Sequence, residues 1–148
     1  MSAFSLAQVP RPALLLGFGG VLPFYGCAFA LWNGDAQAAA VGVLLNYAAV
    51  ILAFLGAVHW GRALSGPPPQ GFAALGWGVV PALLGWLAST WMEPVPGIIL
   101  LIVGFWAAFV VDLRAAAEGQ FPAWYLALRR PLSALVILAL ALSLTALW

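Results

Sequence analysis

Five apolar runs, over residues 13–32, 38–60, 72–91, 97–112 and 132–148, make up most of this chain, and nearly every charge falls in the short stretches between them. A helix needs about 20 apolar residues to cross a hydrocarbon core roughly 30 Å thick. Inside lipid each backbone N–H and C=O must be bonded within the protein, so runs of this length are helices. With 66% hydrophobic and 6% charged residues the chain lacks the polar surface of a water-soluble domain, in which about a quarter of residues are charged. The expected fold is all-α: one transmembrane domain over 1–148, a polytopic integral membrane bundle of five transmembrane helices, with the lipid bilayer as its first partner.

The punctuation between the runs is chemically distinct. Trp32-Asn33-Gly34-Asp35 reads as a turn, since Asn-Gly readily takes positive φ, and Pro67, Pro68 and Pro69 are too stiff and donor-poor for a helix interior. Glu93-Pro94-Val95-Pro96 reads as a tight loop. In 113–131 charge alternates with aromatics, and Phe121, Trp124, Tyr125 and Leu128 recur at three- and four-residue spacing. That stripe predicts a short interfacial helix near 121–130, ended by Pro131, which would open the fifth span. Ala28-Phe29-Ala30 resembles a signal-peptidase site behind an apolar core, but a retained first span is the expectation. Gly20 with Pro23 and Gly26 is echoed by Gly78 with Pro81 and Gly85, which marks Pro23 and Pro81 as helix kinks and raises the idea of related hairpins.

Charge placement orients the bundle. Arg11, Arg62, Arg114, Arg129 and Arg130 all fall on one side of a five-span chain, while the opposite loops carry Asp35 and Glu93. The positive-inside rule then puts the N-terminus in the cytoplasm and the C-terminus outside. The lysine-free, Ala- and Leu-rich composition points to a bacterial inner membrane, with a periplasmic C-terminus. No basic face exists for nucleic acid. The single cysteine, Cys27, sits in an apolar run and reads as packing; no metal-ligand set can be assembled, and no cofactor is expected.

Chemistry concentrates at the end of the second run, which delivers His59, Trp60 and Arg62 to one bilayer surface. Asp112 closes the fourth run at the same depth. A histidine beside a carboxylate can carry a proton or bind a polar head group, quinone or partner backbone; the plainer reading is that Asp112 neutralises an arginine and holds helix ends in register. Trp124 to Arg130 suits anionic lipid head groups, and Arg114 with Glu118 reads as an ordinary i,i+4 pair. Asn46, the one strongly polar group well inside a span, requires a buried partner, for which the carbonyls freed at Pro23 or Pro81 are candidates. It stands about 220° around the helix from His59, which argues against a continuous polar path. Ala49, Ala53 and Ala57 form a small-residue stripe for close helix packing, within the chain or between copies. No nucleophile elbow, zinc helix or Walker loop is present.

Gly20-x-x-Pro23-Phe24, Tyr47-x-Ala-x-Ile51-x-x-Phe54-Leu-Gly56-x-x-His59-Trp-Gly61, Pro81-x-x-x-x-Trp86, Asp112 and Pro122-x-Trp124-Tyr-x-x-Leu-Arg129 together resemble the domain of unknown function typified by transmembrane protein 69. The resemblance covers about residues 14–140. It departs at Ala57, where a second glycine is expected, and at Ser133, where threonine is usual. It implies a small multi-span membrane protein and no activity. It also singles out His59, Trp60, Asp112, Trp124, Tyr125 and Arg129 which, with Arg62, make up a candidate inner-surface cluster.

Three functions suit these features. The chain is an accessory or assembly subunit of a larger membrane complex or homo-oligomer; a small carrier or proton-linked permease gated at the His59 cluster; or a membrane protein that binds quinone or anionic lipid. The first accounts best for the small size and the missing catalytic motifs.

Overall fold

Three of the apolar runs, 38–60, 97–112 and 132–148, fall on helices longer than themselves, because a helix continues past its apolar stretch until a proline, glycine or polar turn interrupts it. The computed structural model describes residues 6–34, 37–66 and 71–148, the side chains of Ala73 and Ala74 apart; Asp35 and the triple proline of 67–69 lie outside the described residues. A short 3-10 turn, Leu6–Gln8, precedes six α-helices: α1 Arg11–Gly19, α2 Leu22–Asn33, α3 Gln37–Ser65, α4 Phe72–Thr90, α5 Pro94–Ala117 and α6 Ala123–Thr145. Four segments are long and apolar enough to cross a membrane: α1 with α2, α3, α5 and α6; the described apolar stretch of α4, Leu75–Thr90, is shorter.

The first run is broken rather than bent. Pro23 has no N–H to offer Gly19, and the Phe24 N–H turns to the Val21 carbonyl at 3.1 Å, so α1 and α2 part at Gly20 and Val21. Pro23 therefore sits in the first turn of α2, where a proline is tolerated, and not in a helix interior. The Gly20 carbonyl left over accepts from the Tyr47 hydroxyl of α3 at 2.9 Å. Pro81 lies inside a continuous α4 and is fully buried. The two echoed motifs thus have different structures.

Two further expectations are corrected. Glu93 is the N-cap of α5, whose first turn contains Pro94 and Pro96, so the predicted loop is already helix. No separate interfacial helix covers 121–130: α6 starts at Ala123 and runs through Pro131 to Thr145. Proline costs one backbone bond there, and packing on both sides of Pro131 holds the helix continuous: Leu126, Ala127 and Leu128 before it and Val136, Ala139 and Leu140 after it are all buried.

Phe24, Leu44, Leu52, Ile98, Leu101, Phe105 and Leu140 form the centre of the core, with Phe24 edge-on to both Tyr47 and Phe105. Cys27 packs in the same cluster. The α3–α4 contact is close because its glycines meet backbone: a Cβ on Gly56 would lie 2.7 Å from the Gly78 carbonyl, and one on Gly85 2.9 Å from Ala49 Cα. Small residues allow this approach, which in lipid is a main source of helix association. Leu15, Leu16, Phe29, Val43, Phe54, Leu83 and Trp106 point outward, as a bilayer-facing surface requires.

Val9 and the α2–α3 junction lie at opposite ends of α6. Val9 packs on Ala127 and Leu128 at the start of α6. At the other end the Trp32 indole donates to the Leu142 carbonyl at 3.1 Å, and Gln37 donates to that of Ala146 at 3.4 Å.

Candidate functional site

Asp112 is the centre of the one buried ionic network among the described residues. It stands more than a turn before the end of α5 and is 1% exposed, so it does not end a span at the surface as expected. His59 Nε2 lies 2.8 Å from Oδ1; Arg129 Nε donates to Oδ2 at 2.7 Å, and the Tyr125 hydroxyl donates to the same oxygen at 3.2 Å. With Asp112 as a carboxylate, which only accepts, His59 donates from Nε2. Phe121 caps the arrangement, edge-on to the His59 ring at 5.3 Å and tilted against Tyr125.

The elements explain the meeting. Arg129 and Tyr125 stand four apart on α6 and share a face; α3 and α5 bring His59 and Asp112 to it. One carboxylate and one guanidinium cancel, so the network holds no net charge while the imidazole is neutral. Charge-assisted hydrogen bonds offset part of the large cost of taking both ions out of water.

Not all of the predicted cluster joins. Trp60 is exposed, donates to the Leu75 carbonyl at 2.8 Å and lies over Gly78, so it braces α4. Trp124 packs against the Val9, Ala127 and Leu128 cluster. Arg62 makes no ion pair with Asp112, and its buried Nε has no partner. Arg114 and Glu118 do not pair either; Glu118 accepts from Gln120. Asn46 is exposed and not buried, and the carbonyl freed at Gly20 accepts instead from Tyr47. Among the described residues no group of His, Cys, Asp and Glu is arranged to hold a metal ion.

Beside the network, a groove runs between α1, α3 and α6. Two cavities of about 130 and 360 Å³ share the lining residues Leu16, Gly17, Phe54, Leu55, Arg129 and Leu132. The walls are mostly apolar; the polar exceptions are Arg129 and Ser133 in the smaller cavity and Trp124, Tyr125 and Arg129 in the larger. Arg129 is 6% exposed and Ser133 3%, yet Arg129 Nη2 and Ser133 Oγ have no hydrogen-bond partner. An unmet polar group in such surroundings costs several kcal/mol in hydrocarbon, roughly as in any apolar medium. Ser133 was not among the expected site residues; its signal was a hydroxyl four positions after Arg129, hence on the same face of one helix.

Fold and site together define a polytopic helical membrane protein with a buried His-Asp-Arg-Tyr centre bordering an apolar groove. A family model described as "Protein of unknown function (DUF3429)" matches residues 9–145, and the chain belongs to that family. It is 33% identical over 144 residues to transmembrane protein 69 of Xenopus tropicalis, covering 95% of this chain and 56% of that protein. To transmembrane protein 69 of Mus musculus it is 29% identical over 128 residues, covering 84% and 51%. The chain thus spans about half the length of these relatives. No solved structure matches it.

Proposed function

We propose that this integral membrane protein binds an amphiphile, with an oxygen-bearing head at Arg129 and Ser133 and an apolar tail along the α1–α3–α6 groove. The observation that carries this reading is the pair of buried, unpartnered polar atoms, Arg129 Nη2 and Ser133 Oγ, in an otherwise apolar wall. A guanidinium N–H requires an acceptor, and a hydroxyl both accepts and donates, so carboxylate, phosphate ester or quinone carbonyl heads meet the need. Anionic lipid and quinone are membrane-soluble classes with such a head. Asp112 holds Arg129 by Nε, which leaves Nη2 without a protein partner and free to donate to a ligand head. Protein purified from its own host in mild detergent should retain one defined amphiphile by native mass spectrometry. A bound ligand at a hundred times its dissociation constant stabilises by about 2.7 kcal/mol. Protein that carries no defined amphiphile, and is not stabilised by added quinone or anionic lipid, would sink the reading.

A second reading, the accessory or assembly subunit, draws support from the outward face of α3. There Asn46 stands exposed among Ala38, Ala39, Gly42, Val43 and Val50. An amide in hydrocarbon calls for a partner helix. Asn46→Leu should then release a co-purifying chain or homo-oligomer; an unchanged assembly would remove this support. A proton-linked permease is the least supported, since His59 is buried while Asn46 faces outward. The arginine distribution supports five crossings with the N-terminus in the cytoplasm, and the lysine-free composition supports a bacterial inner membrane.

A further inference from the structure

We infer that a second site, for a phosphate-type oxyanion, lies in a separate cavity where α3 and α5 end and α4 begins. The cavity, about 230 Å³, is lined by His59, Arg62, Trp77, Arg114, Glu118 and Gln120 and shares no lining residue with the amphiphile groove. Two of its donors are stranded: Arg62 Nε and the Trp77 indole N–H are both withdrawn from solvent and without a hydrogen-bond partner. Each of these groups donates only, so whatever satisfies them must accept.

Charge selects the acceptor. Arg62 and Arg114 bring two guanidiniums, and neither forms an ion pair among the described residues. The one carboxylate in the wall, Glu118, takes its hydrogen bond from Gln120, and the Nε2 edge of His59 is committed to Asp112. The cavity therefore carries an excess of positive charge together with donors that have nothing to donate to. A tetrahedral oxyanion meets both conditions, because phosphate oxygens accept from guanidinium forks at paired geometry. The arginines stand at the C-terminal ends of α3 and α5, at the level where lipid phosphates lie if the arginine-rich face is a bilayer surface. The same chemistry is offered by the head group of a phospholipid and by free phosphate.

The test is a thermal-unfolding titration of the full chain in micelles at fixed ionic strength, with inorganic phosphate in one arm and dihexanoyl phosphatidylglycerol in the other. Saturable stabilisation by phosphate identifies a free anion; stabilisation by the lipid alone that falls in Arg62→Gln and persists in Ser133→Ala identifies a head group in this cavity and not in the groove. In either arm Arg62→Gln should weaken binding about tenfold or more, the usual loss for a charged hydrogen bond. Trp77→Phe should weaken it by a smaller factor, and Arg11→Gln, remote from the cavity, should leave it unchanged. Glu118→Gln should tighten binding, since it removes the only negative charge in the wall; this exposed position keeps the test decisive should Arg62→Gln fail to fold. No saturable stabilisation in either arm, binding indifferent to Arg62→Gln, or weaker binding in Glu118→Gln overturns the inference.

Discussion

Arg129 Nε donates to Asp112 Oδ2 at 2.7 Å between α6 and α5, with the two side chains only 8% and 2% exposed. A pair so withdrawn is costly to break from one side, because the survivor is left as an uncompensated charge. Asp112→Leu and Arg129→Leu should each destabilise the protein by about 3–5 kcal/mol. The double Leu variant should recover part of that loss. Unfolding in micelles, run as a double-mutant cycle, checks the coupling; simple additivity would show that the pair does not act as a unit.

Gly26 and Gly85 hold similar places in the repeated glycine-proline pattern, yet their substitution should have opposite effects. A Cβ on Gly85 would lie 2.9 Å from the Cα and carbonyl oxygen of Ala49, both backbone atoms, so α3 and α4 would have to move apart. Gly85→Ala should cost about 1–3 kcal/mol as overpacking. Nothing lies within 4 Å of a Cβ on Gly26. Gly26→Ala should be neutral or stabilising by up to about 1 kcal/mol, through helix propensity. Melting temperatures of the two variants measure the contrast.

Tyr47→Phe should expose how the helix break is held. It removes the 2.9 Å hydrogen bond to the Gly20 carbonyl and leaves an acceptor unmet in apolar surroundings. The expected loss is about 1–3 kcal/mol, with faster hydrogen exchange at the junction of α1 and α2. A variant as stable as the parent would mean that the carbonyl finds another donor.

Topology is open to a direct assay. In a bacterial host, a periplasmically active reporter fused after Trp148 should be active and the same reporter placed after Arg62 silent. A silent C-terminal fusion would refute five crossings with the N-terminus in the cytoplasm.

Groove occupancy can be read through Ser133→Ala, which deletes one unmet polar atom without touching the ion pair. Retention of the amphiphile should fall several-fold, in keeping with about 1 kcal/mol for a neutral hydrogen bond, while the apoprotein keeps or gains stability. Unchanged retention would remove Ser133 from the binding site.

Much of this molecule was legible from residue order because the bilayer enforces a simple rule: long apolar runs become helices, and every backbone polar group is bonded within them. The meeting of His59 with Asp112 was legible for a related reason, since an imidazole and a carboxylate at the ends of two apolar runs are brought to similar depth. Length misled where a helix outran its apolar stretch. Asp112 looks terminal in sequence and is interior in α5, and Pro131 looks like a boundary but lies within α6.

Hydropathy by itself determined an all-helical membrane chain and the approximate places of its helices. It carries no information on rotation about a helix axis when all faces are apolar, and only the tertiary structure decided that. Rotation sends Asn46 outward and Tyr47 inward to the Gly20 carbonyl, and it sets Arg129 on Asp112 while leaving Arg62 apart. The physical reason is that packing between helices is settled by the close approach of Gly56, Gly78 and Gly85 and by the pairing of buried groups such as Asp112 with His59 and Arg129. Both are contacts between segments far apart in the chain.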